Sequence, residues 1–166
     1  MGDFYQNGIV TTLHNLVRRP VEDIEADLLQ FRKARPMSLV LPSLYSELEG
    51  PALKHIVQAL AKVPYLEEIV IGLDRADEAQ YRHALEYFSE LPQPFKVLWN
   101  DGPRLRAIDL KLREQGLAPT EMGKGRNVWY CFGYVLASGV SKSVALHDCD
   151  ILTYSRDLLA RLIYPV

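Results

Sequence analysis

Short, near-continuous apolar runs that alternate with amphipathic stretches constrain this chain more than any other feature. Ser38-Leu39-Val40-Leu41, Glu68-Ile69-Val70-Ile71-Gly72-Leu73, Phe95-Lys96-Val97-Leu98-Trp99 and Ser143-Val144-Ala145-Leu146-His147 each read as a strand. Between them, Pro51 to Val63 carries Leu53, Ile56, Val57 and Leu60 at helical spacing, and Glu78 to Phe88 is helical. Leu105 to Glu114 reads as a short helix, and Asn127 to Ala137 presents Val128, Phe132, Val135 and Leu136 on one face. Strands without polar alternation are buried on both faces, and intervening helices supply the crossovers that parallel strands need. The expected fold class is α/β, a mostly parallel sheet with helices on both faces. Pro42 is expected to end the first strand.

Composition narrows the function classes. Of 166 residues, 48% are apolar and 24% charged, the balance of a folded domain rather than a disordered chain. Nineteen Lys+Arg against twenty-one Asp+Glu leave a net charge of -2. Gripping nucleic acid by its phosphates takes a basic surplus, so no nucleic-acid partner is expected. No apolar run approaches the roughly 20 residues that cross a bilayer. Met1-Gly2-Asp3-Phe4-Tyr5-Gln6 lacks both the basic-then-apolar order of a secretory leader and the Ser or Thr of a myristoylation signal. Cys131 and Cys149 are too few for a disulfide framework. A cytoplasmic chain without a membrane partner is the expectation.

Two segments are expected. Residues 1–36 read as a polar lead-in and a helical arm, with Val21, Ile24, Leu28 and Phe31 on one stripe. Residues 37–166 form the main domain. Its last apolar helix, with Leu158, Leu159, Leu162 and Ile163, stops at Tyr164-Pro165-Val166 without a polar tail, which reads as a cut inside a longer polypeptide.

Ligands of open parallel sheets bind outside the carboxyl ends of the strands. Polar residues stand just beyond each strand here: Pro42 to Glu47, Asp74-Arg75, Asn100-Asp101-Gly102, and Asp148-Cys149-Asp150. Asp148 and Asp150, two apart at a strand end, are expected on one side of it and repel unless a cation or proton intervenes. Their hard oxygens suit magnesium or manganese; two solvated acids at an exposed strand end are the plainer alternative. Gly123-Lys124-Gly125 stands directly before a helix, where glycines, free N–H groups and a lysine favour a phosphate. A loop whose glycines only turn the chain is the alternative there. A nicotinamide-dinucleotide site is excluded after the first strand, because Pro42 blocks close approach and Glu47 repels a pyrophosphate. His147, Trp129 and Tyr130 read as packing, Cys149 as buried, and Arg104 and Arg106 as loop residues.

Pro42-Ser43-Leu44-Tyr45-Ser46-Glu47 resembles the first-strand loop of family-2-like GT-A glycosyltransferases. Together with Ile71 to Asp77, Gly123-Lys124-Gly125 and Asp148-Cys149-Asp150-Ile151, it is similar to the retaining mannosylglycerate and glucosyl-3-phosphoglycerate synthases. The resemblance covers Leu39 to about Arg161, with Tyr45-Ser46 standing where an Asn-Glu pair is common. It implies a GT-A fold and a UDP- or GDP-hexose across the strand ends, with Pro42, Leu44, Glu47 and Asp74 at base and ribose. Lys124 then lies by the diphosphate, Asp148 at ribose and metal, and Asp150 at a magnesium or manganese ion; Lys124 and Asp150 are the catalytic pair. The implied reaction moves a hexose, with retention, to a small anionic acceptor such as 3-phosphoglycerate or glycerate, for which Arg104, Arg106 and Arg126 are candidate contacts. The family's acceptor half, which commonly adds a metal-binding histidine, is missing after Asp150, so the piece alone is expected to lack full activity. A homodimer is one assembly open to it. The rivals are a sugar nucleotidylyltransferase, which wants a glycine-rich basic loop after the first strand, and a non-catalytic nucleotide-binding domain.

Overall fold

A computed structural model describes residues 19–166. The first half of the expected arm lies outside the described residues; its helix, α1 (Val21–Phe31), does not. Next come β1 (Met37–Leu44), a 3-10 turn (Tyr45–Glu49), α2 (Pro51–Leu60), β2 (Leu66–Asp74) and α3 (Glu78–Phe88). The chain continues through β3 (Phe95–Trp99), α4 (Pro103–Glu114), α5 (Lys124–Ser138), β4 (Ser143–Leu146) and α6 (Arg156–Ile163). The fold is α/β, and the four strands form one sheet in the order β3-β2-β1-β4 with every pairing parallel.

Local chemistry sets several boundaries. Asp77 caps α3, its Oδ1 accepting from the Gln80 N–H at 2.8 Å while the Gln80 side chain returns the bond to the Asp77 N–H. Gly139 ends α5 in the left-handed region, at φ 62. Pro42 behaves differently from expectation. It lies inside β1, paired with Gly72, and the β1–β2 ladder runs on to Leu44 and Asp74. The β1–β4 ladder instead stops at Val40 and Leu146, where the His147 N–H donates to the Val40 carbonyl. Backbone groups alternate sides along a strand, so Pro42 turns its missing N–H toward β4 and ends that ladder alone.

The two faces of the sheet are unequal. Leu39, Leu41, Ile69, Ile71 and Leu73 join α1, α2, α3 and α6 in one large apolar core, with Ile24, Leu28, Leu53, Ile56 and Phe88 fully buried. Each such side chain contributes about 1.5–3 kcal/mol by leaving water. The other face meets α5 through only four buried apolar residues, Val40, Val70, Cys131 and Val135. The face of α5 that is buried is therefore Asn127, Tyr130, Cys131 and Val135. Of the expected stripe Val135 is buried and Val128 half-buried, but Phe132 and Leu136 are exposed, Leu136 by 82%. Among the described residues no helix is long and apolar enough to cross a membrane.

Candidate functional site

Chain order and sheet order together fix one special crevice. From β1 the chain steps to β2 and β3 on one side, then returns through α5 to place β4 on the other side of β1. The connections leaving β1 and entering β4 diverge there, which opens a crevice at the carboxyl ends of the strands. A cleft of about 200 Å³ lies at this switch point, lined among others by Pro42, Leu44, Glu47, Asp74, Lys124, Asp148 and Asp150. All seven expected site residues meet in it. Arg75 and Asn127 line it as well. A larger cleft, about 340 Å³, opens near Met37 and Ser143 at the amino ends, but Phe31, Ile163 and Pro165 make it apolar, and its Arg35 is bonded to the Val166 carbonyl. With no Asp, Glu, His or Cys side chain among its lining residues, it offers an apolar surface and one arginine.

Each wall is positioned by a specific local device. The Glu47 Oε2 accepts from the Leu44 N–H at 2.8 Å, which closes the 3-10 turn and fixes the carboxylate at the mouth. Asp74, 3% exposed, ends β2, and Arg75 follows in the left-handed region at φ 55, a strained setting for a residue with a Cβ. Gly123 takes φ 140 and ψ -168, a conformation almost confined to glycine, and so starts α5 at the cleft edge. Gly123-Lys124-Gly125 is thus not a loop before the helix: Lys124 is its first residue. Its ammonium pairs with the Asp148 carboxylate, both half-exposed. The strand reading of Asp148 and Asp150 also needs correction. β4 ends at Leu146, and both acids lie in the turn beyond it, so they reach the cleft through that turn and not through the pleat.

Four carboxylates, from Glu47, Asp74, Asp148 and Asp150, line the cleft against Lys124 and Arg75. Such a surface repels an anion unless a divalent cation joins it. Asp150 is exposed and makes no hydrogen bond or ion pair among the described residues, and its oxygens are of the hard type that magnesium and manganese take. Among those residues no three His, Cys, Asp or Glu side chains gather as a preformed metal cage. Two carboxylates fit a cation that keeps waters and phosphate oxygens in its shell. Thiol chemistry is absent here. Burial pushes the Cys149 thiol well up and Cys131 up to about 12, which leaves both protonated near neutrality. His147, buried with Nδ1 2.9 Å from the Tyr154 hydroxyl, is held below its ordinary value by burial against the opposing pull of Asp148.

Several residues lie elsewhere than expected. Asn100, Asp101 and Gly102 do not line the cleft; Asp101 Oδ2 accepts from the Ala76 N–H at 3.1 Å and ties two loops together. Arg104 and Arg106 are exposed on α4, not in a loop, and Arg106 faces Asp101 at 3.9 Å. Arg126 is no surface contact for an acceptor: its side chain is 9% exposed and its guanidinium lies 3.7 Å from Asp74. The sequence pattern assigns Asn127 no role at the site. Its Nδ2 donates to the Gly72 carbonyl at 2.7 Å and pins the first turn of α5 to β2. A Cβ at position 72 would stand 1.9 Å from Asn127 Oδ1, so only glycine lets α5 this close. That glycine inside a β-branched run was the signal.

Near this contact four polar atoms are buried without a hydrogen-bond partner among the described residues: Asp74 Oδ1, Arg126 Nε and both amide atoms of Asn100. Each such atom costs about 1–3 kcal/mol in a folded protein and calls for an explanation.

No protein-family model matches the chain. Over its full 166 residues it is 48% identical to a glucosyl-3-phosphoglycerate synthase of Persephonella marina. Over 99% of its length it is 40% identical to a glucosyl-3-phosphoglycerate synthase of Methanococcoides burtonii. These alignments take in 41% and 40% of those proteins, so the chain spans about two fifths of the curated relatives it matches.

Proposed function

We propose that this chain, a homologue of part of glucosyl-3-phosphoglycerate synthase, holds the donor in a metal-dependent retaining glycosyltransferase. The donor is a UDP- or GDP-hexose, and the acceptor a small organic acid such as 3-phosphoglycerate or glycerate. One observation carries the reading: a single cleft at the switch point gathers Pro42, Leu44, Glu47, Asp74, Lys124, Asp148 and Asp150.

The roles follow from the chemistry of each wall. Carboxylates accept from N–H and O–H groups, so Glu47 and Asp74 hold base and ribose while Pro42 and Leu44 supply apolar surface. Asp148 would serve both ribose and metal, and Asp150 the metal. Asp148 and Asp150 would hold a magnesium or manganese ion, which would supply charge neutralisation and Lewis-acid chemistry at the diphosphate. When the glycosidic bond to the diphosphate breaks, negative charge gathers on the β-phosphate. Lys124, at the start of α5 with that helix's free N–H groups behind it, stabilises the charge. Its pairing with Asp148 keeps the ammonium aimed at the cleft until an anionic ligand competes for it.

Calorimetric titration with UDP, GDP and their glucose and mannose conjugates, with and without manganese, tests this reading. Binding is expected to depend on the metal, and Asp150→Ala to abolish that dependence. Metal-independent binding untouched by the substitution contradicts it, and preference for ATP or UTP over the conjugates favours a nucleotidylyltransferase.

A further inference from the structure

The sheet register sets Asn100 beside Asp74. Leu73 pairs with Trp99, the Asn100 N–H donates to the Leu73 carbonyl at 2.9 Å, and the next residues of β2 and β3 turn to the α5 side. Arg126 comes down from the first turn of α5 onto the same spot. The result is a buried carboxylate–guanidinium pair behind the cleft wall, with the buried Asn100 beside it in the register. It is incompletely bonded: Arg126 and Asp74 are 3.7 Å apart, beyond hydrogen-bond reach, and Asp74 Oδ1, Arg126 Nε and the Asn100 amide lack partners. Asp74 lines the cleft and Arg126 does not, so Arg126 stands behind the carboxylate.

We propose that Arg126, with Asn100, is a positioning residue that sets the Asp74 carboxylate to accept from the donor nucleoside. This rests on the reading of the cleft as a nucleotide-sugar site. The physical case is that a carboxylate 3% exposed has lost its water and needs a fixed partner to hold its direction, and the one cation within ion-pair distance is Arg126 among the described residues. The loose geometry leaves Asp74 a lone pair to share with a nucleoside N–H or O–H donor. Because Arg126 stands two residues from Lys124 on the same turn, it also ties the nucleoside end of the cleft to the diphosphate end.

The test separates those two ends. Dissociation constants for UDP, GDP and inorganic pyrophosphate, each with manganese, are measured for the wild type, Arg126→Met, Arg126→Lys, Asp74→Asn and the R126M/D74N pair. The readout is the nucleoside preference, the ratio of the pyrophosphate constant to that of the better nucleoside diphosphate. R126M is expected to lower this preference about tenfold with pyrophosphate affinity within about twofold, and R126K to restore part of it. In the D74N background R126M is expected to add less than about twofold, since both act on one carboxylate. Equal weakening of all three ligands by R126M marks a merely structural role and overturns the proposal; so does an unchanged preference, or effects of R126M and D74N that multiply. Should R126M fail to fold, Asn100→Ala is expected to lower the preference about threefold, and no change there overturns the proposal equally. A wild type that binds no nucleoside diphosphate defeats the cleft reading itself and this inference with it. A wild type that binds with R126M indifferent defeats this inference alone.

Discussion

The two faces of the sheet are built to different ends. Beneath α1, α2, α3 and α6 the strands present Leu39, Leu41, Ile69, Ile71 and Leu73 to a continuous apolar core. Against α5 they present polar groups instead: the Tyr134 hydroxyl donates to Glu68 at 2.9 Å, Asn127 donates to Gly72, and Arg126 faces Asp74. Apolar packing is non-directional and supplies stability; polar contacts are directional and fix where a helix starts. One face therefore holds the fold together, and the other aims the first turn of α5 at the carboxyl ends of the strands. The division explains how a small cluster of four buried apolar residues suffices on the α5 side.

The largest effect should come from the apolar face. Ile71→Ala, at a fully buried position, is expected to cost about 2–5 kcal/mol in chemical denaturation. If a variant as stable as the wild type resulted, the division of labour would be wrong. On the other face Gly72→Ala drives a methyl group into Asn127 and Cys131. It should cost about 1–3 kcal/mol and weaken nucleoside diphosphate binding out of proportion to that loss. Equal affinity in the two proteins would show that α5 is not aimed by this contact. The smallest effect concerns acid. Hydrogen bonds from Arg113 and the Tyr130 hydroxyl hold the Asp109 carboxyl below its ordinary value and tie α4 to α5. A depressed carboxylate stabilises above the unfolded-state value of 3.8 and loses that contribution as pH falls through the folded one. Protection of the α4 amides, relative to their intrinsic exchange rates, should thus fall below about pH 4 before that of β1 and β2 does. A simultaneous loss would contradict it.

Much of this was legible in the sequence, for reasons that can be stated. β3 and α3 span Phe95–Trp99 and Glu78–Phe88 as expected, because apolar runs and the Asp77 cap are local signals. The polar groups after β1, β2 and β4 do collect at one cleft, a consequence of parallel strands pointing the same way. Those after β3 do not, and sheet order is the reason: β3 lies at the far edge while the switch point falls between β1 and β4. Periodicity carries no information on that order. On α5 the apolar stripe and the buried face share only Val135, because the polar Asn127 and the residues Tyr130 and Cys131 take the sheet side, which apolar periodicity does not register. A proline in the pattern predicts a stop for the whole strand, but at Pro42 the missing donor ends only the ladder it points to.

The central claim is that a nucleoside diphosphate lies across the carboxyl ends of β1, β2 and β4. A crystal structure of the chain grown with manganese and UDP or GDP tests it most directly. The account predicts the ion on Asp148 and Asp150, the diphosphate beside Lys124 and the nucleoside against Glu47 and Asp74. Ion and nucleotide found at the amino ends of the strands, near Met37 and Ser143, would contradict it.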